Sequence, residues 1–134
     1  MQLDVYVNYH GTCEEAFHFY EHHLGGRITG IVHHGEQPNP NVADDWHDKV
    51  LHARIEIGGT VLMGADIPKA EPMRSAYLSL SLDSDAQAER VYALLSEGGQ
   101  IFMKMEETPF ASRFAMLRDK FGTSWMLLHQ PAVV

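Results

Sequence analysis

Two stretches of the sequence carry the same order of signals, and a chain built from two copies of one unit has few ways to fold. Residues 3–28 run from an alternating segment (LDVYVNY) through HGT into a helix-like segment (CEEAFHFYEHHL), then Gly25-Gly26 and Arg27-Ile28. Residues 76–101 repeat that order with AYLSLSL, DSD, AQAERVYALLSE, Gly98-Gly99 and Gln100-Ile101. A second echo follows: Gly59-Thr60, Met63 and Pro68 recur at the spacing of Gly122-Thr123, Met126 and Pro131. Both echoes keep the same order, so one half-domain is used twice. Module one covers about 1–68 and module two about 74–131, together a single domain of 1–134.

Each half reads locally as strand then helix. Val5, Val7 and Tyr9 alternate with Asp4, Tyr6 and Asn8, and Leu78, Leu80 and Leu82 alternate with Tyr77, Ser79 and Ser81. That period of two belongs to a half-buried strand. Thr12 with Glu15, and Ser84 with Gln87, have capping-box spacing. Ala16, Phe17, Tyr20 and Leu24, then Val91, Leu94 and Leu95, supply an apolar helical stripe, and the double glycine after each offers a left-handed stop.

Residues 51–66 predict a hairpin about Gly58-Gly59, a dipeptide suited to a two-residue primed turn. Ile57 then faces Thr60, Glu56 faces Val61, Arg54 faces Met63 and His52 faces Ala65. Leu51, Ala53, Ile55, Ile57 and Leu62 share the side that can lie under a helix, and His52, Arg54, Glu56, Val61 and Met63 share the other. A second hairpin spans Arg113–Leu117 and Thr123–Leu128 around DKFG. A four-residue turn there sets Ala115 opposite Met126, with Arg113, Leu117, Ser124 and Leu128 on that side and Phe114, Met116 and Trp125 on the helix side. Residues 33–50 (HHGEQPNPNVADDWHDKV) are polar, proline-bearing and without period, the pattern of a long mobile loop of the kind that covers a site.

Composition narrows the function. With 134 residues, 45% hydrophobic and 21% charged, the chain has the make-up of one soluble globular domain. Its formal net charge of −8 is the wrong sign for a phosphate backbone, so nucleic acid is not an expected partner. One cysteine, Cys13, makes no internal disulfide and fits a reducing cytoplasm. The N-terminus carries an acid where a signal peptide would be basic, and no apolar run is long enough for a membrane span.

A unit of strand, helix and three strands used twice in about 130 residues resembles the vicinal oxygen chelate superfamily of glyoxalases, bleomycin-resistance proteins and extradiol dioxygenases. Within it, EEAFHFYEHHLGG, HARIEIGGTVLMGAD and ETPFASRFAMLRDKFGTSWMLL are similar to the PhnB-like branch. The resemblance implies an α+β fold: two tandem βαβββ modules forming a curled, half-open mixed-sheet cup with helices outside, assembled as a homodimer. It also implies four metal ligands, one each from the first and last strands of both modules. By the strand, hairpin and glycine landmarks these fall on Asp4 or Val5, Met63, Tyr77 and Met126. Thioethers are soft, neutral ligands and suit Mg, Mn or Zn poorly, so no metal site and no cofactor are expected. The methyltransferase label carried by some branch members has no glycine-rich loop after a strand to support it.

His52 is the foremost candidate for a general acid or base, with Glu56 to orient it; the competing reading is a half-buried histidine in a strand network. Tyr6, Arg54, Met63, Tyr77, Arg113 and Met126 are the expected ligand-binding residues, Arg54 or Arg113 holding negative charge. Arg54 and Glu56 can equally pair with each other, and Arg113 with the acidic loop. His22-His23, His33-His34 and the 44–48 cluster read as surface polarity, because adjacent helical histidines point ~100° apart. Cys13, in the first helical turn beside Glu14 and Glu15, reads as a small packing residue. Trp125 falls in the core layer.

The expected function is binding of a small organic molecule in a metal-free cup, with proton transfer at His52 if the protein is catalytic. One alternative is a sequestering, resistance-type binding protein. Another is a metal-dependent lyase or dioxygenase using Asp4, His52 and Glu56.

Overall fold

The two modules of the computed structural model repeat one element order, and residues 1–36 and 43–131 are described. In the unit Met1–Glu71 the order is β1 (Val5–Tyr9), α1 (Cys13–Leu24), β2 (Arg27–His33), β3 (Val50–Ile57) and β4 (Thr60–Asp66). In the unit Pro72–Val134 it is β5 (Leu78–Ser81), α2 (Asp85–Ser96), β6 (Gln100–Thr108), β7 (Ala111–Arg118) and β8 (Ser124–His129). Each unit forms a four-stranded mixed sheet, β1-β4-β3-β2 in one and β5-β8-β7-β6 in the other. The first strand of each lies parallel to the last. This is the α+β, twice-used βαβββ architecture that the repeat predicts.

In the first unit, α1 covers one face of the sheet. Cys13, Ala16, Phe17 and Tyr20 pack on Val7, Tyr9, Ala53, Ile55 and Leu62, all buried. Tyr9 meets Phe17 edge to face at 6.0 Å. Gly64 makes the close fit possible, since a Cβ there would stand 2.9 Å from the Phe17 ring. Gly58 and Gly59 both have positive φ and close the two-residue turn as expected, fixing Ile57 on Thr60, Glu56 on Val61 and Arg54 on Met63. The ladder ends at Ala53–Gly64, one pair short of His52–Ala65. Leu51 departs from the helix side as well. A bulge opposite Val32-His33 makes it the extra residue of β3, so Val50 is buried and Leu51 is exposed.

The start of α1 differs from the sequence expectation. Thr12 makes no side-chain cap; the Asp66 carboxylate accepts from Cys13 N at 2.9 Å and from Val50 N at 2.8 Å. A buried acid from β4 therefore ties the helix start to the start of β3, and the partial positive charge of the helix end favours it. The second capping box forms: Ser84 Oγ accepts from Gln87 N at 3.0 Å, and the Gln87 side chain accepts from Asp83 N. Gly25 and Gly98 take the left-handed conformation after their helices.

In the second unit, α2 buries Ala88, Val91 and Leu95 against Ala115, Leu117, Trp125 and Leu127. The β7–β8 turn has five residues rather than four, because Arg118 pairs with Ser124. Asp119 is the cause. Its buried carboxylate accepts from Phe121 N (2.9 Å), Thr123 N (3.0 Å) and Trp125 Nε1 (2.9 Å), and its own N donates to Thr123 O. The extra residue shifts β7 by one against β8. Ala115 pairs with Leu127 and Met116 with Met126, which moves Arg113 and Leu117 to the helix side and Phe114 and Met116 to the open side.

The segment expected as a loop over 33–50 contains two short 3-10 turns, His34–Glu36 and Asp44–Trp46. Its ends are joined by His34 N to Lys49 O and Gly35 N to His47 O, both 2.9 Å. The rest of that expectation, residues 37–42, lies outside the described residues. At the foot of the segment His33 sits between two acids, with Nε2 2.6 Å from Glu14 and Nδ1 3.2 Å from Glu36. Those hydrogen bonds raise the His33 pKa and lower that of Glu14, while Glu36 is lowered first by the His33 backbone N–H and then by the ring.

Two predictions follow from these carboxylates. Replacing Asp66 or Asp119 by alanine strands buried N–H donors, and each change is expected to cost about 2–4 kcal/mol in urea denaturation; a loss below about 0.5 kcal/mol contradicts the bonding described. For His33, a raised pKa means its contribution is full below the ordinary 6.5 and fades as pH climbs through the raised value. Glu14, lowered, contributes fully above 4.5 and fades as pH falls through its lowered value. The melting-temperature loss of Glu14→Gln is therefore expected to be largest between pH 4.5 and 6.5 and to shrink as pH rises through the raised His33 value, and a loss independent of pH argues against the clamp.

Candidate functional site

A single helix covers a single face, so each sheet keeps an open face whose residues are set by register. On the first sheet, Tyr6, Met63, Arg54 and Gly30 are successive register partners across β1, β4, β3 and β2. His52 is paired with Val32 on the same side. Its ring stands 6.0 Å from that of Tyr6 at 31°. Arg54 Nη1 donates to Met63 Sδ at 3.3 Å. Four of the expected residues, Tyr6, His52, Arg54 and Met63, thus form one patch. Tyr6 is 49% exposed and the other three are half-buried. Burial pushes the Tyr6 phenol up, so its O–H stays intact at neutral pH.

Glu56 shares the face but not the patch. It stands four residues from His52 on one strand, about 13 Å along it. Its carboxylate pairs with Arg27 at 2.9 Å, in place of the Arg54–Glu56 pair and of a contact with His52. The Arg27 contact was beyond sequence reading, because the 33–50 segment hides how β2 registers on β3.

Arg113 is the clearest correction. Being on the α2 side of β7, its guanidinium is held by Glu89 at 2.9 Å and Asp85 at 3.5 Å, away from the open face. The same helix start gathers Asp85, Ser112 and His129. Asp85 accepts from Ser112 Oγ at 2.5 Å and lies 2.8 Å from His129 Nδ1, bonds that lower its pKa. Serine and carboxylate share one imidazole nitrogen here, so the cluster anchors the helix and has no relay geometry. A shallow depression of about 610 Å³ nearby, lined by Thr108, Phe110, Ser112 and Gln130, contains none of the expected site residues.

The open face of the second sheet carries a row of Ser79, Met126, Met116 and Met103 as register partners. Tyr77, just before β5, meets Phe102 edge to face at 6.4 Å, and the Arg118 guanidinium lies 5.2 Å over the Phe102 ring. Met126 is on the open face as expected. Met116 and Phe114 were missed, since a one-residue error in the turn inverts all of β7.

The family's metal positions can now be tested by donor chemistry. Val5 pairs with Leu62 on the helix side, leaving Asp4 as the counterpart of Tyr77. The set is then Asp4, Met63, Tyr77 and Met126, two thioethers and a phenol with one carboxylate, which does not fit a hard divalent ion. The alternative set of Asp4, His52 and Glu56 does not converge: Glu56 is paired with Arg27, and Asp4 accepts from the Gln2 side chain at 3.0 Å. No three His, Cys, Asp or Glu side chains gather for an ion among the described residues. Cys13 is fully buried, and burial with Asp66 and Glu14 nearby pushes its thiol far up, which disfavours thiolate chemistry. No helix among the described residues is long and apolar enough to cross a membrane.

Comparison with known proteins agrees with the fold. The chain is 29% identical to Protein YjdN of Escherichia coli (strain K12) over 139 aligned residues, 95% of this chain and 94% of that protein. The crystal structure of protein PA1353 from Pseudomonas aeruginosa is 38% identical with a TM-score of 0.87, covering 97% of this chain and 98% of that one. A Bacillus cereus structure described as a putative 3-demethylubiquinone-9 3-methyltransferase, PhnB protein, shares the fold at 23% identity and a TM-score of 0.82, covering 96% and 99%. The sequence profile of one family spans residues 2–127, nearly the whole repeat. The chain belongs to the Glyoxalase/Bleomycin resistance protein/Dioxygenase superfamily.

Proposed function

We propose that this protein binds a small organic molecule on the open face of its first sheet, without the metal that the superfamily ordinarily uses. The observation that carries the reading is the patch of Tyr6, His52, Arg54 and Met63. It combines ring surface, a thioether, an imidazole and a guanidinium on one side of three neighbouring strands. Such a mixture of apolar wall and few polar groups is what a small-molecule site requires. The methionines at both echo positions, Met63 and Met126, support ligand binding through apolar contact instead of metal chelation. If a reaction occurs, His52 is the group to move the proton and Arg54 the one to stabilise developing negative charge; the Arg27–Glu56 pair speaks against Glu56 as the orienting acid. On the second sheet, taken by itself, Met126 and Tyr77 are proposed to offer apolar ligand contacts of their own. Homodimer assembly and a reducing, cytoplasmic setting belong to the same reading.

The second reading is sequestration without chemistry, favoured by the separation of His52 from every carboxylate on its strand. A thermal-shift screen followed by product analysis distinguishes the two. A saturable rise in melting temperature is expected in either case. An enzyme also yields product, and His52→Ala is then expected to lower turnover at least 100-fold while ligand affinity changes by less than tenfold. Unchanged turnover in His52→Ala removes the proton-transfer role. Protection that survives substitution of Tyr6, Arg54 and Met63 together moves the site elsewhere.

A further inference from the structure

Arg54 is the group whose surroundings are incomplete. Among the described residues, its guanidinium has one hydrogen-bond partner, the Met63 thioether at 3.3 Å, a weak and neutral acceptor. Arg27 and Arg113, by contrast, are held by carboxylates, and Arg118 by the Met73 carbonyl at 2.7 and 3.1 Å and by Gln100. Glu56, the acid two residues away on the same strand, is taken by Arg27. A half-buried cation without a counter-charge, in a chain of net charge −8, is left with its fork of N–H donors unmatched.

The space beside it is open. Gly30 is the register partner of Arg54 on β2, and a Cβ built there would meet nothing within 4 Å. On the other side, Tyr6 is two strands from Arg54, about 10 Å away at ordinary strand spacing, with the Met63 sulfur between them. The Tyr6 and His52 rings are tilted by 31° with centroids 6.0 Å apart, so two ring surfaces lie beside the Met63 thioether.

We infer that the ligand of this face is a small aromatic carboxylate, its carboxyl group on the Arg54 fork and its ring against Tyr6, His52 and Met63. The inference rests on the small-molecule reading above and names the class that the patch selects. A benzoate-sized molecule with its contact shells is of the order of the two-strand spacing, about 10 Å, that separates Arg54 from Tyr6. A planar carboxylate also satisfies two N–H groups of the fork at once, which a thioether does not. Methionine sulfur against a ring edge adds a favourable contact without charge. The intact Tyr6 phenol adds no negative charge of its own to the patch, and the nearest acid on the strand, Glu56, is neutralised by Arg27.

Benzoate and its neutral isostere benzamide test this on the full chain, by amide chemical-shift titration at low ionic strength. Benzoate is expected to bind at least tenfold tighter than benzamide, with shifts centred on β1, β3 and β4. Arg54→Gln is expected to bring benzoate down to the benzamide level and leave benzamide unchanged. Should Arg54→Gln not give a native spectrum, Arg54→Lys, which keeps charge but loses the fork, is expected to show an intermediate preference. Gly30→Leu, filling the space beside the guanidinium, is expected to weaken benzoate more than benzamide. Equal affinity for both probes on this face overturns the carboxylate class and leaves the small-molecule site standing. No shift on β1, β3 or β4 from either probe at millimolar concentration overturns both.

Discussion

A single twelve-residue helix can pack on only one face of a four-stranded sheet. Every other property of this protein follows from which side chains end up under α1 and α2 and which are left on the opposite faces. Because side chains on a strand alternate with a period of two, that division is decided by register, and a slip of one residue exchanges the two faces completely. The turns and buried acids that fix register therefore determine the site as much as they determine stability.

Asp66 and Asp119 carry that burden by different routes. Asp66 ends β4 and binds the first amides of α1 and β3, so three elements of the first unit meet at one carboxylate. Asp119 organises a five-residue turn and reaches the Trp125 indole, which places Trp125 and Leu127 under α2 and Met126 outside. Both carboxylates are surrounded by N–H donors. A neutral or shorter side chain in either place leaves those donors unpaired, a cost that competing registers do not bear.

Much of this was legible in the sequence because the repeat made two weak readings into one strong one. The strand and helix order came from alternation and apolar stripes, and the first hairpin came from Gly58-Gly59, whose primed turn permits one register. The second hairpin was misread for a definite reason: DKFG has the look of a four-residue turn, and nothing local announces that Asp119 enlarges it by bonding forward to Thr123 and Trp125. Thr12 and Glu15 had capping-box spacing, yet an acid 53 positions from Cys13 took the role. Arg27 on Glu56 depended on the β2–β3 register across residues 33–50, where no pattern spans the gap. Local chemistry was readable; pairings made by distant residues were not. The site followed the same rule, since Tyr6, His52, Arg54 and Met63 came from short-range parity while Arg113 was lost with the turn.

The character of the open faces reflects one substitution of physical means. A hard divalent ion holds an oxygen-bearing ligand by a concentrated charge, and it needs carboxylates and imidazoles whose own charge and hydration it displaces. Thioethers at Met63 and Met126 offer neither, but each leaves its own sheet face apolar and deformable, so on the proposed reading burial of ligand surface takes the place of chelation as the source of affinity. Any charge recognition on the first sheet then has to come from the protein itself. Arg54 is placed to supply it, because Glu56 is drawn off by Arg27 and Gly30 leaves room on the far side. A guanidinium is a softer and more directional source of positive charge than a metal ion: it orients a planar anion in two hydrogen bonds and lacks the field to drive strong polarisation. On the proposed reading, a site built this way favours selective holding over demanding chemistry, and His52 is the one patch side chain suited to carry a proton in any reaction there.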